Sequence, residues 1–213
     1  MKKFELTSET KINIFGKKLF RIKALVSFGV VKTGETGGWV EKEENVNQSG
    51  DAWVFDNAEV FGNARVFGNA WVFGNARVFD NARVFGNARV SGDAWVFDNA
   101  EVSDNAWVFD NARVSGNAEV SDNAEVSDNA WVSGNARVFD NADYATIHGF
   151  GTQFRTTTFF RCKDKQVKVS CGCFYGTIPE FCEQVKNTRK GKIAEEYLMI
   201  ADLMEKHFAE EAK

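Results

Sequence analysis

Residues 63–79 read "NARVFGNAWVFGNARVF", in which Asn, Ala and Val return at every sixth position while the residue between Ala and Val switches between Arg and Trp. The period runs far beyond this stretch: Val recurs every six residues from Val54 to Val138, and Ala from Ala52 to Ala142. A fixed short period marks a solenoid, whose units bury their apolar faces only against one another. Two apolar positions around one polar residue, as in Ala64-Arg65-Val66, form a short strand that sends Ala and Val to one face and Arg to the other. Ala and Val are therefore assigned to the interior.

Each of these Val residues is followed by Phe or Ser, then Gly or Asp, then Asn, with Asp in place of Asn at 93 and, ahead of the first of them, at 51. Gly, Asp and Asn tolerate positive φ and bond their own backbone, so a corner falls in every hexad. Three six-residue sides close a triangular coil, and roughly five coils stacked at about 4.8 Å give a rod section on the order of 25 Å long. Ala and Val fill its narrow prism, and Asn turns the corner, in a stacked amide ladder if the amides meet. The opposite phase, with Phe inside, is rejected because Ser replaces Phe at 91, 103, 115, 121, 127 and 133, too often for a packed interior.

The formal charge of -4 divides unevenly. Residues 1–50 carry nine basic and six acidic side chains, residues 51–143 six and fifteen, and residues 144–213 eleven and nine. An acidic rod with mildly basic ends is not a surface for direct nucleic-acid binding. No run of 18 apolar residues is present to span a bilayer, and the opening "MKKFELTSETK" has no apolar core behind its charges. The expected location is cytoplasmic, with no membrane association. Cys162, Cys171, Cys173 and Cys182 are then reduced thiols.

The expected fold is mainly β: a triangular parallel β-helix over 46–150, a β-hairpin cap over 1–45 and a small α+β module over 151–213. In the cap, "KINIFGKKLFRIKALVSF" reads as two apolar runs around a Gly-Lys turn, and Trp39 of "TGETGGWV" is placed to cover the open first coil. Tyr144 and Phe150 take Val positions and His148 an Ala position, so larger groups are expected to close the prism. "TTTFFRC" and "QVKVSCGCFYG" read as strands, the second placing Val167, Val169, Cys171, Cys173 and Tyr175 on one face. Thr177 and Glu180 stand at capping-box spacing around Pro179, and a last helix from about Ile193 to Phe208 puts Ile193, Tyr197, Ile200, Met204 and Phe208 on one side.

At 34–64, "GETGGWVEKEENVNQSGDAWVFDNAEVFGNA", the chain resembles a family of uncharacterised bacterial and phage hexapeptide-repeat proteins with a leading hairpin, a Gly-Gly-Trp-Val segment and Asp-Asn-Ala or Gly-Asn-Ala hexads. The tail "VSCGCFYGTIPEFCEQV" resembles a module of phage relatives. More distantly, the hexads are similar to those of left-handed β-helix acyltransferases, which is why such chains are often labelled transferases. The resemblance implies a left-handed coil, frequent trimers and, if the chain is phage-encoded, action in the host cytoplasm.

An acyltransferase of that class presents a His general base on a coil beside a protruding loop, yet residues 52–143 hold neither a His nor an insertion, leaving His148 as the candidate base or, alternatively, a polar stopper of the prism. The Cys spacing lacks paired Cys-x2-Cys knuckles, so buried thiols are expected rather than zinc. No catalytic residue, cofactor or metal is assigned.

The outward positions carry the functional expectation. With eighteen residues per coil, the first side stacks Trp53, Trp71, Arg89, Trp107 and Glu125, flanked by Phe55, Phe73, Ser91, Phe109 and Ser127. Trp53, Phe55, Trp71, Phe73, Trp107 and Phe109 are expected to form an interface with another copy, as a trimer or dimer, or with a host protein. The alternatives are a surface of self-stacking rings, an anion site in which Arg65, Arg77, Arg83 and Arg89 take a nucleotide-like ligand, and an acidic nucleic-acid mimic built on the Asp-rich corners.

Overall fold

The structure is a computed structural model that describes residues 2–209; Met1 and residues 210–213 of the two expected end domains lie outside the described residues. Strands β1 (Phe4–Ile12) and β2 (Lys18–Ala24) form an antiparallel hairpin, and β2 pairs antiparallel with β3 (Thr36–Val40). Fifteen two-residue strands follow: β4 (Trp53–Val54), β5 (Glu59–Val60), β6 (Arg65–Val66), β7 (Trp71–Val72), β8 (Arg77–Val78), β9 (Arg83–Val84), β10 (Arg89–Val90), β11 (Trp95–Val96), β12 (Glu101–Val102), β13 (Trp107–Val108), β14 (Arg113–Val114), β15 (Glu119–Val120), β16 (Glu125–Val126), β17 (Trp131–Val132) and β18 (Arg137–Val138). They stack as three parallel sheets. The first side runs β4-β7-β10-β13-β16, the second β3-β5-β8-β11-β14-β17, and the third β6-β9-β12-β15-β18. This is a parallel β-solenoid of about six turns.

The register is the one the period demands. Trp53 pairs with Trp71, Trp71 with Arg89, and Val always with Val one coil on. Every repeat Ala from Ala52 to Ala136 and every repeat Val from Val54 to Val138 is fully buried, each Val contributing about 1.5–3 kcal/mol by leaving water. Positive φ falls at the residue before each corner Asn or Asp, as at Asp56, Gly62 and Gly68. At two corners the amides form ladders: Asn63 donates to Asn81 and Asn81 to Asn99, both at 3.2 Å, and Asn69 donates to Asn87 and Asn87 to Asn105, both at 3.1 Å. The third column runs Asn57, Asn75, Asp93, Asn111 and Asn129, and so carries a carboxylate where the other two carry amides.

The two ends explain the rest of the chain. At the first, β3 lies directly on the opening coil, with Val40 on Val60 and Trp39 on Glu59. That approach needs both glycines of Gly-Gly-Trp-Val: a Cβ at Gly37 would come within 2.6 Å of the Val54 carbonyl oxygen, and one at Gly38 within 2.6 Å of Val54 Cγ1. Phe4, Ile22, Val31 and Val46 extend the buried core past the first coil. Trp39 is not the expected lid. It points outward on the second side, beneath the cations of Lys11 and Arg21 at 4.6 and 5.0 Å. Nor is the run Ile12–Phe15 a buried strand, since Ile12 and Ile14 are exposed at the hairpin turn.

At the far end the last rung is β18. Tyr144–Phe150 forms β19, the first strand of an antiparallel sheet continued by β20 (Arg155–Arg161), β21 (Val167–Cys171) and β22 (Phe174–Thr177). Of the three residues expected to close the prism, Tyr144 packs half-buried against the core, whereas His148 is exposed and Phe150 packs into the C-terminal module. Phe160 and Cys162 close the prism, brought there by an antiparallel bridge from Ala136 to Cys162 and by Trp131 N–H donating to Thr158 Oγ1 at 3.0 Å. Helices α1 (Ile178–Thr188) and α2 (Gly191–Phe208) pack on this sheet. α1 begins with the expected capping box between Thr177 and Glu180, and α2 buries Tyr197, Ile200, Met204 and Phe208. Among the described residues no helix is long and apolar enough to cross a membrane.

Candidate binding surfaces

The three sides of the rod differ in what covers them. On the second side the hairpin folds down as a roof: Phe15 rests on Phe61, Phe79 and Trp95 at 5.2–5.9 Å, and Leu19 is buried with Trp39, Phe61 and Phe79. Beneath it Glu59 is buried between Lys11 Nζ at 2.8 Å and Arg77 Nε at 3.4 Å, with Asn13 Nδ2 donating to it at 3.3 Å. The third side faces outward with ion pairs, Arg83 to Glu101 at 2.7 Å and Lys163 to Glu119 at 2.7 Å, over a Phe67–Phe85 stack.

The first side holds the six expected interface residues, and the structure withdraws one of them. Trp53 is fully buried, with Phe4 and Phe28 edge-on to its indole at 5.8 and 5.3 Å. Phe55, Trp71, Phe73, Trp107 and Phe109 remain half-buried. Their rings satisfy much of their own surface. Trp71 meets Phe55 edge-on at 5.7 Å with Arg89 over its other face at 5.4 Å, and Trp107 lies 4.7 Å from Phe109.

A rule connects these contacts. Each rod tryptophan leans back over the residue sixteen positions earlier: Trp71 over Phe55, Trp95 over Phe79, Trp107 over Ser91, Trp131 over Ser115, and Trp53 against Gly37. Where that residue is Ser, the indole N–H donates to its hydroxyl, at 2.9 Å for Trp107 and 3.1 Å for Trp131. Ser91 and Ser115 are buried as a result. The outward positions are thus less free than their variation suggests.

The four arginines assigned to an anion site do not converge. Arg65 and Arg83 stand on the third side, Arg77 on the second and Arg89 on the first; Arg77 and Arg83 already pair with carboxylates. The Asp corners are likewise spread over all three edges of the rod.

His148 is exposed on β19, its Nδ1 3.3 Å from Thr156 Oγ1, and so belongs to the C-terminal sheet rather than to a coil. It borders a hollow of about 380 Å³ with Trp131, Gln153, Phe154 and Arg155. The four cysteines are free. Cys162 is buried and its thiol is pushed up to about 11 by that burial, whereas Cys173 is exposed. The expected alternation holds to Cys171 and then fails, because Gly172 (φ 61) turns the chain and sends Tyr175 to the opposite face, against Phe160. Among the described residues no three His, Cys, Asp or Glu side chains are grouped to hold a metal.

Two features went unassigned from sequence. Met199 and Leu203 are exposed on α2, one helical turn apart and opposite its buried stripe, a spacing that was visible in the sequence. The second is a groove in the C-terminal module where Arg155, from the start of β20, and Arg189, from the end of α1, meet around Tyr197. Tyr197 donates to the Phe150 carbonyl at 3.2 Å, over Gly151. Burial raises its phenol above the ordinary range and the neighbouring Cys171 adds to the rise, while Arg189 and Arg155 oppose it. The two arginines lie far apart in irregular sequence, and no periodicity announces their meeting.

With this geometry in place, the comparisons with known proteins are narrow. Residues 82–98 match the family model described as "YdcK Beta solenoid repeat". That segment contains β9, β10 and β11, one strand from each side, and is therefore one coil of the rod. No curated protein matches the chain.

Proposed function

We propose that this protein is a non-enzymatic binding and scaffold protein that self-associates through the first side of its rod. One observation carries the proposal. The second side is roofed by the hairpin and the third is laced with solvent-facing ion pairs, while on the first side Trp71, Phe73, Trp107 and Phe109 stay half-buried, and among the described residues the ring contacts of Trp71, Trp107 and Phe109 are with residues of the rod itself. Half-buried Trp and Phe with an Arg among them are the side chains that dominate interface energetics. A closed symmetric oligomer, with a trimer as the first candidate, uses such a patch on every copy.

The rod suits a scaffold. Ala-Val layers, amide ladders and stacked Phe rings leave each coil one way to sit on the next. If the chain is phage-encoded, as the sequence resemblance implies, the partner beyond its own copies is a host component met in the cytoplasm. The test is Trp71→Ala with Trp107→Ala, followed by sedimentation velocity. Loss of the oligomer with an unchanged far-UV spectrum supports the proposal, and an unchanged sedimentation coefficient refutes it.

A further inference from the structure

We infer that the C-terminal module binds a small phosphate monoester in the groove between Arg155 and Arg189. Two hollows of about 260 and 320 Å³ meet there and share Arg155, Cys171, Arg189 and Tyr197. One is walled by Phe174, Phe181 and Val185, the other by Gly151, Thr152 and Gln153. Among the described residues no Asp or Glu lines either.

The state of the two guanidinium groups is unusual within this molecule. The chain has ten arginines. Among the described residues Arg77, Arg83, Arg137 and Arg161 pair with carboxylates, and Arg21, Arg89 and Arg113 lie over tryptophan rings. Among the described residues Arg155, Arg189 and Arg65 have neither kind of partner. Two of these three therefore share one groove in which no described residue supplies a carboxylate, in a protein of net charge -4.

The ligand class follows from that imbalance. Two guanidinium groups match the charge of a phosphate monoester near neutral pH, and each can offer a planar pair of N–H donors to its oxygens. Thr152 and Gln153, exposed residues that line the second hollow, add a hydroxyl and an amide as uncharged donors. The phenylalanine-walled hollow accepts a flat apolar body attached to the phosphate. Hollows of this size admit a small molecule rather than a folded partner. A mononucleotide has both parts. The site is separate from the first side of the rod, so failure of self-association would leave this inference standing.

The test uses the intact protein with AMP, adenosine and inorganic phosphate as probes, read by calorimetry and by iodoacetamide labelling of the cysteines with mass-spectrometric detection. AMP is expected to bind at least about tenfold more tightly than adenosine, and phosphate to compete with it. AMP is also expected to slow labelling of Cys171 and Cys173, which line the groove, and to leave Cys182 unchanged. Arg155→Gln and Arg189→Gln should each weaken AMP by about tenfold or more with the melting temperature preserved; if either variant melts early, the labelling pattern on the unaltered protein decides. Adenosine binding as tightly as AMP, no binding of AMP at about 10 mM, or protection that spares Cys171 and Cys173 would each overturn the inference.

Discussion

Trp107 donates its indole N–H to Ser91 Oγ at 2.9 Å, across sixteen positions of sequence and one coil of the rod. The bond gives Ser a role at that point in the Phe column: it accepts the indole proton of the Trp one coil on, where Phe55 and Phe79 offer Trp71 and Trp95 a ring. Ser91→Ala removes the acceptor in a buried place and should cost about 1 kcal/mol. Ser91→Phe puts a ring where Phe55 and Phe79 stand under their own tryptophans and should cost less than Ser91→Ala. Urea denaturation checks the order, and an unperturbed Ser91→Ala would refute it.

The prism has no room to spare. Ala100 is fully buried with coils on both sides, so Ala100→Leu forces its neighbours apart and should cost roughly 1–3 kcal/mol or prevent folding. Glu125→Leu, on an exposed outward position, should change stability by less than about 0.5 kcal/mol. Equal denaturation midpoints for the two variants would contradict the assignment of inside and outside.

Thiol chemistry should sort the four cysteines by environment. Cys173 is exposed and should react first with iodoacetamide. Cys162, buried at the rod's closing end with its thiol raised to about 11, should react last and only on unfolding near neutral pH, since the thiolate is the nucleophile. Timed labelling with peptide mapping gives the order directly; early modification of Cys162 would mean that β20 does not seal the prism.

Alkaline pH should reveal Lys3. Its ammonium is buried, donates to the Ala52 carbonyl at 2.8 Å and the Gly50 carbonyl at 3.2 Å, and is lowered by that burial from 10.5 to about 8. Between these two values the unfolded chain holds more protons than the folded one, so this group makes stability rise with pH by at most about 1.4 kcal/mol per unit. Cys162 acts oppositely, because its folded thiol keeps a proton from 9.0 to about 11 that the unfolded chain has lost. The net rise should therefore lie between pH 8 and 9 and fade above it. Denaturation across this range should show the rise in the unaltered protein and not in Lys3→Met, and identical slopes would refute the assignment.

The rod was legible because its signal is local and repeated. One hexad such as Asn-Ala-Arg-Val-Phe-Gly already states which side chains go in, which go out and where the backbone takes positive φ, and the capping box at Thr177 states where a helix starts. What escaped depends on contacts between distant segments. The burial of Trp53 needs Phe4 and Phe28 to arrive from the cap, and its hexad, Asp-Ala-Trp-Val-Phe-Asp, differs from the Asn-Ala-Trp-Val-Phe-Gly of Trp71 only at the corner residues. The closing of the prism by Phe160 and Cys162 depends on a strand that turns back, whereas the hexad spacing, followed forward, led past Tyr144, which does pack on the core, to His148 and Phe150, which do not. Arg155 and Arg189 acquire their meaning only when a sheet and a helix end are packed together.

The central claim, self-association along the first side, is tested most directly by a native mass spectrum of the protein purified without denaturation. The account predicts a whole multiple of 23.8 kDa, with three copies as the first expectation. A single species at 23.8 kDa across the micromolar range would contradict it.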